Sequence, residues 1–189
     1  MSKSKRSSTL TVRLDQGTLD IVREEAERQG VSINVLVNRE LRKYVDWGRF
    51  AERYGMTGIS KNGLRRLMVA IPDEKLRELG AAAGKEAPRD LILFIWGAVT
   101  LGNAMKLLHA YAEHHRMGDL EQHDEDSKIR IVLHHDMGMK RSVYLESFFV
   151  AMFEDLFNYR PRFNTTSRSV SFIIVPSEIR LAQEQLSRA

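Results

Sequence analysis

The sequence predicts an α+β protein in two parts: a small strand-helix-helix unit, then a larger domain in which helices precede a β-α-β-β unit. Three observations predict it. "TLTVRLD", residues 9–15, alternates apolar and polar side chains directly before two capped helical runs. Apolar residues then recur at helical spacing from Leu64 to Ala112. After "MGDLEQHDEDSK", 117–128, the period changes to two in "KIRIVLHHD" and again in "VSFIIV".

In the first segment Leu10, Val12 and Leu14 share one face, and Thr9, Thr11 and Arg13 share the other, the pattern of a half-buried strand. Asp15 is placed to cap a helix carrying Leu19, Val22 and Ala26, which "RQG" ends with a basic residue and Gly30. Ser32 caps a second helix with Val35, Leu36, Leu41, Tyr44 and Val45 on its apolar side. The next strand-like segment begins far away at Lys128, so the first strand is most simply paired with the same strand of a second copy.

The second helix is expected to run on through "GRFAERYG", and the Gly, Ser and Asn content of "MTGISKNG", 56–63, marks a linker. The expected division is 1–50, a connecting or helix-extending segment at 51–62, and a second domain at 63–189. That domain opens with a helical run at Leu64, Leu67 and Met68 and a second run started by Pro72 and Asp73. A third, very apolar run covers 91–99, and a fourth carries Leu101, Met105, Leu108, Tyr111 and Ala112. The acidic stretch 121–126 reads as a solvated loop. "KIRIVLHHD" reads as a strand, 142–157 as a helix across a sheet face, and "RPRFNTT" and "VSFIIV" as strands around the turn "SRS". Tyr144, Phe148, Phe149, Phe153 and Phe157 fall at the spacing that burial against a sheet requires.

Composition removes several classes of function. The chain has no cysteine, so disulfide frameworks, thiolate metal sites and thiol enzymes are excluded. The apolar run 91–99 is far shorter than the roughly 20 residues of a membrane span. Ser7, Ser8 and Thr9 interrupt any secretory core, and the expected location is cytoplasmic. The net charge of +4 is modest, but Lys3, Lys5, Arg6 and Arg13 all precede the first acid, Asp15. A local excess of that kind attracts polyanions, and a solvated basic tail is the competing reading.

Residues 8–47, through "TLTVRLD", a helix ending "ERQGVS" and the helix "INVLVNRELRKYV", resemble the ribbon-helix-helix DNA-binding proteins, the class of the Arc, Met and plasmid copy-number repressors. An edge strand of an ordinary α/β fold is the alternative. The resemblance implies a homodimer whose paired strands enter the major groove, about 12 Å wide, and leaves open whether dimers pair into tetramers. It implies base reading by Thr9, Thr11 and Arg13, and phosphate anchoring by Ser32 with the Ile33 and Asn34 amides. Lys3, Lys5 and Arg6 would add sequence-independent backbone contacts. The implied function is a sequence-specific transcriptional regulator bound to double-stranded DNA; an antitoxin or partner-binding protein that regulates its own synthesis is the alternative.

For the second domain the sequence offers weaker signals. His135, Asp136, Gly138, Lys140 and Arg141 gather at a helix start, where amides and basic side chains could hold an anionic effector. A polar turn, with Asp136 capping and Gly138 relaxing the backbone, is the competing reading. Adjacent His134 and His135 diverge on a strand, His114 and His115 diverge on a helix, and four residues after His109 stands Glu113. No metal site and no cofactor are therefore expected. No nucleophile-base pair or phosphate loop supports an enzyme.

Overall fold

The computed structural model describes residues 8–115 and 118–186, and they divide into two compact units, Met1–Glu52 and Arg53–Ala189. The fold is α+β, with helices and one four-stranded antiparallel sheet. Among the described residues no single helix is long and apolar enough to cross a membrane.

In the first unit, α1 (Gln16–Arg28) starts where Asp15 accepts a hydrogen bond from the Thr18 amide at 2.9 Å. It ends before Gly30, whose φ of 65° lies in the left-handed region that favours glycine. α2 (Ile33–Lys43) begins at Ser32, whose Oγ accepts from the Val35 amide at 3.3 Å. A π-helical turn (Tyr44–Gly48) and α3 (Arg49–Arg53) extend it, as the sequence suggests. Ala26, Leu36 and Trp47 are buried in this unit. Residues 8–15 carry no regular secondary structure in the single chain. A ladder there needs a second strand, and the partner expected from the sequence belongs to another copy.

The second unit opens with α4 (Lys61–Val69), capped by Ser60. The two runs expected from Asp73 onward are one helix, α5 (Asp73–Trp96), which continues through Pro88 and stops at Gly97 with φ of 72°. The sequence hides this continuity because, between buried Leu76 and buried Leu91, the inward stripe of α5 is Gly80, Gly84 and Pro88, residues that hydropathy does not count as core. α6 (Leu101–His115) follows.

The acidic stretch corrects the sequence reading: Asp119–Glu125 is a strand, β1, and not a loop. It pairs with β2 (Lys128–His134) around Asp126 and Ser127, both with positive φ, the tight turn of a two-residue hairpin. Glu125 faces Lys128 and Asp119 faces His134 across the ladder. Periodicity cannot reveal β1, since nearly all its residues are exposed on both faces.

α7 (Met139–Phe157) begins one turn before the expected start and leads into β3 (Arg162–Thr165) and β4 (Ser169–Ile174). The sheet order is β1-β2-β4-β3, so β4 inserts between β2 and the strand α7 delivers. Ile131, Leu133, Val170, Phe172 and Ile174 form the buried sheet face. Phe149 and Phe153 of α7 meet Phe172 with ring centroids at 5.2 and 5.6 Å, the aromatic core the spacing predicts. On its other side α7 packs along α5 so closely that a Cβ on Gly80 would stand 2.4 Å from the Tyr144 carbonyl, and one on Gly84 2.2 Å from that of Phe148. α8 (Pro176–Leu186) closes the unit through buried Ile179.

Candidate functional site

At the N-terminal end, Thr9, Thr11 and Arg13 are all exposed. So are their apolar neighbours: Leu10, Val12 and Leu14 are 76%, 61% and 46% accessible. Ser32, Ile33 and Asn34 sit together at the start of α2, where the first amides of a helix have no intrahelical acceptor and face outward with its positive dipole end. Val35, Leu41, Tyr44 and Val45 are also exposed, the last three at i, i+3, i+4 spacing. Lys3, Lys5 and Arg6 lie outside the described residues.

The cluster expected between β2 and α7 is drawn apart by structural tasks. Asp136 turns to Lys61 at 3.5 Å, while its carbonyl accepts from Arg65 at 2.6 Å. Its own backbone amide and the Lys61 ammonium hold the Asp136 carboxyl below its usual range. Lys140 reaches back to the Ile71 carbonyl and to Asp73, both at 2.7 Å, tying the end of α4 to the start of α5. Gly138, not Asp136, takes the N-cap position of α7, with φ of 82°. His135 is buried: its Nδ1 accepts from the Met137 amide, and Nε2 lies 3.0 Å from Ser142 Oγ, which donates to the Thr166 carbonyl at 2.6 Å.

Arg141 faces elsewhere, and it is the member of the cluster with most chemical potential. Its side chain lines a cavity of about 350 Å³ between α5, α6, α7 and the β1-β2 hairpin. Ala83 and Ala87 of α5 leave the space, Leu108, Tyr111 and Leu133 wall it, and Tyr144 and Phe148 complete it from α7. Arg141 is 7% accessible and its guanidinium carbon stands 5.5 Å from the Tyr144 ring centre. Among the described residues its Nε is buried without a hydrogen-bond partner, and no acidic residue lines the cavity. Burial lowers the Arg141 pKa, opposed by Tyr144, and burial raises the hydroxyls of Tyr111 and Tyr144.

The sequence placed Arg141 in an anion site at the helix start and missed the cavity. A signal was present. Arg141, Tyr144, Leu145, Phe148 and Phe149 follow i, i+3, i+4, i+7, i+8, so an arginine opens the apolar stripe of α7 where a core residue belongs. Among the described residues no three His, Asp or Glu side chains converge on a point that could hold a metal ion.

No family model, curated protein or solved structure matches the chain. The functional reading therefore rests on the geometry of the two units.

Proposed function

We propose that the protein is a sequence-specific DNA-binding regulator, a homodimer whose residues 9–15 pair as an antiparallel ribbon in the major groove. The observation that carries the reading is the alternating segment itself. In the single chain Leu10, Val12 and Leu14 are exposed, as are Thr9, Thr11 and Arg13, directly before two helices with side-chain caps at Asp15 and Ser32. Burying the apolar side against a second copy satisfies the strand and turns the polar side outward. Arg13 would then take a guanine edge bidentately, and Thr9 and Thr11 would donate, accept or touch a thymine methyl. The Ile33 and Asn34 amides, with Ser32, would hold a phosphate and set the register. Lys3, Lys5 and Arg6 would strengthen binding without selecting sequence.

The test is anisotropy binding of the wild type and Arg13→Ala to a pool of genomic DNA fragments at low and near-physiological salt. Selective, salt-steep binding is expected, with Arg13→Ala losing about 1–3 kcal/mol on the preferred fragments and most of the preference. Unchanged selectivity in the variant would remove Arg13 as a base reader. Absence of binding at either salt would leave residues 9–15 as a dimerisation strand and reject the DNA reading.

A further inference from the structure

The Arg141 cavity combines two features that a structural core lacks together: open apolar volume and a buried charge with no counter-ion among the described residues. Its volume of about 350 Å³ lies within the range of small-molecule sites, roughly 300–1,000 Å³. Arginine stays protonated in proteins, so the cavity holds a fixed positive charge in surroundings that disfavour it. Among the described residues Nε has no acceptor, and the lining offers no carboxylate to neutralise it. A planar guanidinium matches two parallel hydrogen bonds to one planar carboxylate.

The geometry points to a binding site for an amphipathic monocarboxylate, with the headgroup on Arg141 and an apolar tail, alkyl or aryl, against Ala83, Ala87, Leu108 and Phe148. One cation, with no second basic side chain in the lining, fits a monoanion better than a phosphate dianion. The two alanines keep the volume open; larger residues at those positions would fill it. The ligand supplies contact surface for the apolar wall and a negative charge for the guanidinium of Arg141.

Isothermal titration of the full chain with decanoate tests the assignment, with decanol, acetate and decyl phosphate as comparison ligands. Saturable binding of one decanoate per chain is expected, at least tenfold tighter than decanol or decyl phosphate, with no measurable acetate binding. Arg141→Met, which keeps an unbranched apolar stem without the charged guanidinium, should weaken decanoate at least tenfold and leave decanol unchanged. Ala87→Leu should weaken both. Equal affinity for decanoate and decanol in the wild type would overturn the role of Arg141, even if the Met variant fails to fold. Tighter decyl phosphate would overturn the carboxylate, and absence of saturable decanoate binding would overturn the site. The titration contains no DNA, so its failure and the failure of the DNA reading are independent.

Discussion

Two neighbouring side chains, His135 and Arg141, illustrate how burial turns an apparent ligand cluster into something else. His135 has both ring nitrogens engaged, Nδ1 with the Met137 amide and Nε2 with Ser142. An Nδ1 that accepts from an amide carries no proton, so the ring is neutral with its proton on Nε2. Burial and then the Arg141 charge lower the His135 pKa, His134 adds to them, and Asp136 opposes. The native state therefore binds fewer protons than the unfolded chain once pH falls below the ordinary histidine value of about 6.5. Stability contributed by this residue is complete above that pH and declines as the solution is acidified toward its lowered native value. Urea unfolding at pH 7.5 and 5.5 should show this loss in the wild type and a smaller loss in His135→Gln. The sequence made His135 and Arg141 visible as candidates because they are polar residues beside a glycine. It could not show that one is satisfied by its own loop while the other turns into a cavity, since that depends on α5 and α6, which approach from distant sequence.

At the scale of elements, the decisive contact is between α5 and α7. Gly80 and Gly84 let the two helices approach until Cβ positions coincide with carbonyl oxygens of α7. Gly84→Ala should therefore lower stability by about 1–3 kcal/mol, although alanine favours an isolated helix by about 1 kcal/mol. Gly102→Ala, at the start of α6 with its nearest neighbour at 3.9 Å, is the matched control and should be neutral or slightly stabilising. Chemical denaturation of both variants checks the pair. Ser60, Asp15 and Ser32 announce their helices in the sequence because a cap is a local event. The α5-α7 seam is not announced, because its closest approaches fall on Gly80 and Gly84, which hydropathy does not count as core. β1 is missed for a related reason: a strand paired along one edge and wet on both faces has no hydrophobic alternation to read.

For the whole molecule, the first unit leaves Leu10, Val12, Leu14, Val35, Leu41, Tyr44 and Val45 exposed, apolar side chains that the proposed dimer would cover. Sedimentation should give a mass near twice the chain's 21.7 kDa, and the melting temperature should rise with protein concentration. On the proposed ribbon, Val12→Glu would place a charge in the apolar face, and it should shift the mass toward the monomer and weaken the proposed DNA binding. The sheet of the second unit has the opposite social behaviour. Its outer strand β1 carries Asp119, Glu121, Asp124 and Glu125, and its other outer strand, β3, is four residues long. An incoming strand would have to stack against like-charged carboxylates on one side and finds little length on the other. If residues 9–15 pair with a second copy as proposed, the charge of β1 and the shortness of β3 disfavour further strand addition at the sheet edges. Replacing Asp119, Glu121, Asp124 and Glu125 with their amides should therefore increase concentration-dependent aggregation, read by light scattering, relative to the wild type.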